Sequence, residues 1–560
     1  MMVRFVVLAG LGWILAMSGA SDRSAVARGS GASRAAALHG TKLFTNSANC
    51  MACHNGLYSP EGENTSIGTA WRATIMANSS RDPYWQASVR RETLDHPRAS
   101  AEIEDECSVC HMPMSHTAEH AMGGKGRIFE HLPVTSKPDA MSDLAHDGVS
   151  CTLCHQVTPE KFGDPSSFTG GYVIDTKTAP EQRAVYGPYQ IEPGLVRIMH
   201  SVTGFNPTQG LQIRESQLCA TCHTLYTTAR GPNGEAIGRL PEQMPFLEWQ
   251  HSSYAGQQSC QSCHMPTVSQ PSPIASVLGQ PREGMSRHTF LGGNFFLLRM
   301  LDRYRADLGT IALPEELAAA ASGTLDQLRT ATALLTIDAP RVSEGRLALD
   351  VIVDNLTGHK LPTAYPSRRA WIHLVVRDGS GRTVFESGKV EADGSIDGNA
   401  NDRNALEYEP HYREITRGDE VQIYESIMLD SGGQVTTGLL HGVRYAKDNR
   451  LLPHGFDKST AVADIAVQGE AAEDPDFTAG GDRVQYRIPL GGASGPYGIE
   501  ATLLYQPVGF RWANNLRPYA AEEPRRFVSY FDSLASGTTA VLAQAQQTVQ
   551  APHGTAAASQ

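Results

Sequence analysis

The sequence predicts a multidomain chain whose N-terminal half is built from short helices and loops and whose C-terminal half is an antiparallel β-sandwich. Two observations predict this division. Five copies of the pentapeptide Cys-x-x-Cys-His lie between Cys50 and His264, and they use all ten cysteines of the 560-residue chain. Short runs of β-branched and aromatic residues begin after about residue 334, where no cysteine remains.

The pentapeptide is the attachment signature of c-type haem, in which two thiols form thioethers with the porphyrin and the histidine ligates the iron. Random placement of the ten cysteines and twenty histidines would give roughly 0.006 copies. Zinc is the alternative, but paired Cys-x-x-Cys knuckles do not require a histidine directly after the second cysteine. We therefore expect five covalently bound haem c groups. Their predicted attachment residues are Cys50, Cys53, Cys107, Cys110, Cys151, Cys154, Cys219, Cys222, Cys260 and Cys263, and their predicted proximal ligands are His54, His111, His155, His223 and His264.

The N-terminus has the pattern of a secretory signal peptide over residues 1–20. Arg4 supplies positive charge, residues 5–17 are apolar, and Ser18-Gly19-Ala20 offers small residues for cleavage. An apolar run of this length is too short to span a bilayer comfortably, and no later run is longer. The expected location is periplasmic or extracellular in a bacterium, with no transmembrane span. Residues 21–38, rich in Ser, Gly, Ala and Arg, are predicted to be a flexible lead-in.

Residues 39–300 form the predicted haem-bearing domain. Pro, Gly, Ser and Asn punctuate this region, and long amphipathic patterns are few. We expect a short helix at each attachment motif and stacked porphyrins in place of a side-chain core. Residues 301–333 are the predicted linking helices, since helical patterns cover 294–307 and 315–333.

The C-terminal half is predicted to be a β-sandwich over residues 334–530, followed by a disordered or helical tail over 531–560. The tail is dominated by Ala, Gln and Thr. The predicted strands are 347–353, 370–376, 383–385, 420–429, 484–488 and 498–505.

Fifteen histidines outside the motifs are available for the second face of each iron. A second axial histidine closes the coordination sphere and favours electron transfer over substrate binding. A lone histidine is more often a surface or hydrogen-bonded residue, so the candidates are ranked by their position near the motifs. Met76 is a weaker candidate than any of the histidines. The candidate distal ligands are His96, His116, His120, His146, His200, His251, His288 and His359.

The formal net charge of −12 at pH 7 excludes a phosphate-binding role, because nucleic-acid binding requires a basic surface. An acidic surface instead suits docking to basic redox proteins, which are the expected partners.

The sequence resembles bacterial multihaem cytochromes c of the cytochrome c554-like group, including the β-domain often appended to them. The resemblance covers residues 40–530. It implies an N-terminal multihaem cytochrome c domain that relays electrons from haem to haem in respiration, mostly through bis-histidine irons. The phrases that carry the resemblance are Cys110-His111-Met112-Pro113, Asp147-Gly148-Val149-Ser150-Cys151, Glu248-Trp249-Gln250-His251-Ser252, Cys263-His264-Met265-Pro266, Asn355-Leu356-Thr357-Gly358-His359-Lys360-Leu361-Pro362-Thr363 and Tyr445-Ala446-Lys447-Asp448-Asn449-Arg450-Leu451-Leu452-Pro453.

The predicted function is electron transfer through five haems, without catalytic side chains. One alternative is a nitrite- or hydroxylamine-type oxidoreductase with one open iron, for which Tyr172, Arg183 and Tyr189 are candidate distal groups. Related pentahaem nitrite reductases usually replace one motif histidine by lysine, whereas all five motifs here end in histidine. The other alternative is a structural subunit of a homo-oligomer or filament, in which the β-domain joins neighbours.

Overall fold

The computed structural model describes residues 42–136 and 139–550. The predicted signal peptide, the lead-in, residues 39–41 and residues 551–560 lie outside the described residues. No helix in the described ranges has both the length and the apolarity needed to cross a membrane.

Short α-helices dominate the first half, and longer ones join it to the second. The helices are α1 Ser47–Met51, α2 Ile67–Arg72, α3 Pro83–Asp95, α4 Ser100–His111, α5 Pro113–Ala121, α6 Ala140–His146, α7 Cys151–Cys154, α8 Pro193–Thr203, α9 Ser216–His223, α10 Pro245–Gln250, α11 Cys260–His264, α12 Phe295–Arg303, α13 Arg305–Leu308, α14 Pro314–Ala331, α15 Ala400–Arg403, α16 Phe510–Asn514 and α17 Glu522–Leu534.

The strands of the first half are short, and the longest strands lie after residue 333. They are β1 Ala184–Gly187, β2 Asn206–Gln209, β3 Leu225–Arg230, β4 Ala236–Gln243, β5 Ser272–Pro273, β6 Pro281–Arg282, β7 Ala333–Ser343, β8 Arg346–Asn355, β9 Arg369–Arg377, β10 Thr383–Ser387, β11 Glu414–Ile415, β12 Ile423–Tyr424, β13 Ser426–Leu429, β14 Val435–Thr436, β15 Arg444–Asp448, β16 Gly481–Pro489, β17 Tyr497–Gln506 and β18 Ala540–Val549.

The C-terminal strands form several sheets. One sheet has the order β10-β9-β17-β18, with β12 also paired to β9; a second has the order β11-β16-β8-β7; a third has the order β14-β13-β15. The pairing in these sheets is antiparallel apart from the short β11, which runs parallel to β16. Alternate residues of the two larger sheets, such as Val351 in β8 and Leu503 in β17, are fully buried in one shared hydrophobic cluster. Each of the two larger sheets therefore contributes a buried face to this cluster, and Trp371 of β9 and Leu504 of β17 are buried in a second cluster on the other face of their sheet.

The linking helices belong to this same cluster. The predicted helix over 294–307 is divided at Tyr304 into α12 and α13. Phe295 and Leu301 of α12 are completely buried, and Tyr84 of α3 joins them from the N-terminal half. The helices thus pack against the sheets and tie the two halves together, rather than forming a separate linker.

The prediction of a disordered or helical tail is wrong for Ala540–Val549, which form strand β18. This strand pairs with β17 from Tyr497 to Tyr505. Its Ala- and Gln-rich composition gives little strand signal, and burial falls along the strand, from Ala540 and Leu542, which are buried, to Gln544, which is exposed. Residues 540–549 form a strand because β17 offers an edge for pairing, and the local sequence does not reveal that edge.

Candidate haem site

A large cavity runs through the N-terminal half and reaches the C-terminal sheets. Its volume of about 1260 Å³ exceeds the usual range for a single small-molecule site. All five motif histidines line it, together with apolar residues such as Trp71, Ile103 and Leu298. The cysteines that line it are Cys50, Cys107, Cys110, Cys151, Cys154, Cys219, Cys222, Cys260 and Cys263.

Each attachment motif lies on or directly after a short helix, as predicted. Helices α4, α9 and α11 end at a motif histidine, α7 spans the two cysteines of its motif, and α1 contains Cys50. Residues three and four apart share one face of a helical turn. The two thiols and the imidazole of a motif are therefore presented toward one side, which is the arrangement that one porphyrin requires.

The thiols of different motifs lie beside one another. Cys50 interacts with Cys151, Cys110 with Cys222, and Cys219 with Cys260. Charge on Cys222 also raises the pKa of Cys154, although burial is the larger cause. Through these interactions the first motif adjoins the third, and the fourth adjoins both the second and the fifth. The charge effect between Cys222 and Cys154 indicates that the third and fourth motifs are also near each other.

Backbone carbonyls orient the motif imidazoles. The Nδ1 atom of His54 lies 2.6 Å from the Ile274 carbonyl oxygen, and that of His155 lies 2.5 Å from the Tyr186 carbonyl oxygen. His264 makes the corresponding contact with Leu291. Since a carbonyl can only accept, Nδ1 carries the proton and Nε2 is the atom with a lone pair for a metal.

Two motif histidines face a second imidazole across the cavity. The ring centroids of His155 and His288 are 6.4 Å apart, with 13° between the ring planes. Those of His264 and His359 are 6.2 Å apart, with 15° between the planes. Metal–nitrogen bonds of about 2 Å place two imidazoles on opposite sides of one ion about 6 Å apart, centre to centre. Both pairs fit this geometry and are too far apart for direct stacking.

Burial keeps five of the cavity histidines neutral, which is the form that ligates metals. It lowers the pKa of His111, His223, His288 and His359 to about 4, and it lowers the pKa of His155 as well. The Nδ1 atoms of His288 and His359 also lie near carbonyl oxygens, at 3.1 Å from Ser286 and 2.9 Å from Lys360. The donor set, its protonation and its orientation therefore fit haem iron.

A buried network of charges holds the loop that carries His359. The Lys360 backbone N–H donates to Glu248 Oε2 at 3.1 Å, and the Lys360 ammonium donates to Asp448 at 2.7 Å. Arg450 completes the network, with 3.1 Å to Glu248 and 2.8 Å to Asp448. Burial raises the pKa of Asp448, but the two cations outweigh it and hold that pKa well below its usual range.

The other six distal candidates do not line the cavity in the described part of the chain. His146 Nε2 contacts the His131 carbonyl oxygen at 2.6 Å, and His251 Nε2 contacts that of Asp457 at 3.0 Å. His96 packs against His441, with ring centroids 4.6 Å apart.

The remaining three of those six lie on helices beside the motifs. His116 and His120 are on α5 next to Asp105, and His200 is on α8. None of the six lies in the cavity lining, but His96, His116 and His200 each leave a buried ring nitrogen without a hydrogen-bond partner in the described chain. Their role as distal ligands therefore stays a prediction.

Met76, Tyr172 and Tyr189 line the cavity. The Tyr172 hydroxyl contacts Thr117 Oγ1 at 3.1 Å, and the Tyr189 hydroxyl donates to the Glu283 carbonyl at 3.0 Å. Arg183 is buried outside the lining and donates to the Lys42 carbonyl at 3.4 Å. These contacts are those of packed loop residues.

Sequence reasoning missed several residues of the site. Trp85 stacks on His111 at 4.3 Å with 4° between the planes. Arg368 lines the cavity and, after burial and the neighbouring histidine, contributes to the low pKa of His223. Glu248 belongs to the Glu248–Ser252 phrase that carries the family resemblance. Nothing in its sequence context marks it as a fully buried partner of the His359 loop.

Replacing Glu248 by glutamine is expected to destabilise the fold by about 3–5 kcal/mol, because Arg450 and Lys360 stay buried with one carboxylate fewer. Urea unfolding followed by circular dichroism measures this. The matched control is Glu63→Gln, which removes a half-exposed partner of Arg287 and is expected to cost less than about 1 kcal/mol. Equal losses in the two variants would contradict the role given to the network.

No family model and no curated protein matches the sequence. Among solved structures, the crystal structure of a penta-heme cytochrome c552 from Thermochromatium tepidum is similar, with a TM-score of 0.51 and 14% sequence identity. The likeness covers 91% of this chain and 100% of that chain. At this level of sequence identity, the similarity concerns the fold alone. The chain is folded like that penta-heme cytochrome c across most of its length.

Proposed function

We propose that this chain is a secreted pentahaem c-type cytochrome that transfers electrons in respiratory electron transport. In this proposal the ten motif cysteines bind five haems and the five motif histidines are proximal ligands. Haem iron, when bound, supplies reversible one-electron chemistry. The protein's part is to fix the separation, burial and axial ligands of the five groups.

The observation that carries the proposal is the contact between motifs. Cys110 and Cys154 both neighbour Cys222, so the fourth motif adjoins the second and the third, while Cys219 links it to the fifth. Groups tethered at neighbouring thiols are held within a short distance of each other. A continuous path through the cavity follows, with the fourth motif as its branch point.

Two axial pairs follow from the facing imidazoles. We assign His288 as the partner of His155, and His359 as the partner of His264. Arg368 is suited to pair with anionic propionates, because it is a cation among neutral histidines in a buried cavity.

The wider setting is part of the same proposal. We infer from the resemblance that the chain is of the cytochrome c554-like group, and the cluster shared by the two larger sheets supports a β-sandwich in the second half. The sandwich then serves as a support for the His359 loop and as a docking module.

Basic redox proteins are the proposed partners, and the periplasm or the cell exterior is the proposed location. Assembly into a filament is a further option.

A second candidate function is an oxidoreductase with an accessible iron. Within the described ranges, His54, His111 and His223 line the cavity without a facing imidazole of the kind seen for His155 and His264. A spectral change on adding cyanide distinguishes this candidate from a carrier whose irons are all closed.

Reductive titration of the purified protein is expected to take up five electrons per chain. Substituting both Cys260 and Cys263 by serine is expected to reduce this to four, because the fifth motif loses both thioethers. Coulometry at a transparent electrode, with the Soret band as the readout, counts the electrons. Fewer than five in the wild-type chain would contradict the proposal.

Replacing His359 by methionine is expected to raise the potential of one haem, by on the order of 0.1 V within the range of about 0.8 V that axial ligands span. The other four potentials should change little. Potentiometric titration followed by optical spectroscopy measures all five.

The control for this experiment is His251→Met. His251 is also a predicted ligand, but it contacts the Asp457 carbonyl outside the cavity lining. All five potentials are expected to stay in place in this variant. Unchanged potentials in the His359 variant would show that His359 is not an axial ligand.

A further inference from the structure

Helices α4 and α5 bring two histidines and an aspartate together beside the second attachment motif. His116 and His120 are four residues apart on α5, so both imidazoles lie on one face of that helix. Asp105 lies on α4, two residues before Cys107. Neither histidine is among the residues that line the haem cavity in the described chain.

The three side chains converge on one point. His116 Nε2 is 3.4 Å from Asp105 Oδ1, and His120 Nε2 is 2.7 Å from the same oxygen. One ligand atom from each residue lies within 4.8 Å of those of the other two. Ligands about 2.0–2.1 Å from a tetrahedral ion are about 3.3 Å apart, so small side-chain movements would bring all three onto one ion.

The backbone fixes this arrangement. The Gly126 N–H donates to Asp105 Oδ1, the oxygen that also faces both histidines, at 2.6 Å and so orients the carboxylate. A side chain at Gly126 would approach His116 Cδ2 to within 2.8 Å and Ser108 Oγ to within 2.1 Å. The loop is therefore packed directly against the cluster, and only glycine leaves room for it.

The electrostatic setting favours a cation with nitrogen ligands. Burial is the main cause that lowers the pKa of His116 to about 4, so its imidazole is neutral at pH 7 and offers a lone pair. The side chain of His120 is partly exposed, which leaves an entry path and room for water as a fourth ligand. Two imidazoles and one carboxylate are borderline donors that select zinc-type ions over Mg²⁺ or Ca²⁺.

We propose that Asp105, His116 and His120 form a binding site for a divalent transition ion, with Zn²⁺ as the best match. The ion would join α4 to α5, the helices on either side of Met112, and so clamp the segment that ends in the second attachment motif. This site is separate from the haem irons and requires no redox change.

The test uses the holoprotein after dialysis against a chelator, which leaves covalently bound haem in place. Isothermal titration with Zn²⁺ is expected to show one saturable site per chain, and elemental analysis should find one zinc. Zn²⁺ should also raise the urea midpoint, because the ion binds only the folded state. Mg²⁺ should produce neither effect.

Asp105→Asn and His120→Gln are expected to weaken Zn²⁺ binding at least tenfold, with unchanged haem absorption. His120 is exposed, so its variant should fold. The matched control is His373→Gln, which alters a partly exposed histidine paired with Glu386 and should leave zinc binding intact. No saturable zinc binding to the wild-type chain, or equal binding to the His120 variant, would overturn the proposal.

Discussion

In the proposed account, the requirement to hold several flat, apolar haem groups at neighbouring tethers accounts for most features of the first half of this molecule. The attachment motifs line one cavity, and their thiols interact in pairs such as Cys50–Cys151 and Cys219–Cys260. Helices there are short because a motif needs only about one turn to present two thiols and an imidazole. The chain between the turns runs as loops whose carbonyls orient the histidines. Side-chain packing leaves a large cavity in the interior, which the proposed haems would fill.

The second half completes this site as well as adding stability. The β8–β9 connection delivers His359 opposite His264, and the charge network of Glu248, Asp448 and Arg450 fixes that connection from both halves. Such networks are costly to bury, and their value lies in holding one geometry. The halves are also joined by Arg90 and Glu523, at 2.8 Å. In the proposed account, the second half, which carries no attachment motif, is thereby part of a haem site.

Sequence reasoning was most successful where chemistry demands a local pattern. The attachment motifs and their short helices followed from residue spacing, and the main strands followed from runs of β-branched and aromatic residues. The facing pair His155 and His288 are 133 positions apart in the chain, and only the fold shows that they meet. His146 and His251 lie closer to motifs in the sequence, yet hydrogen-bond to nearby carbonyls instead. Strand β18 was missed because its partner edge on β17 is set by tertiary structure.

The central claim is that porphyrin is tethered covalently at all five pentapeptides. Intact-mass spectrometry of the denatured protein, together with haem quantification, tests this most directly, because thioether-bound haem survives unfolding. The account predicts a mass equal to the mature polypeptide plus five haem groups, and a matching haem-to-protein ratio. A mass equal to that of the bare polypeptide, or haem that separates from it on denaturation, would contradict the account.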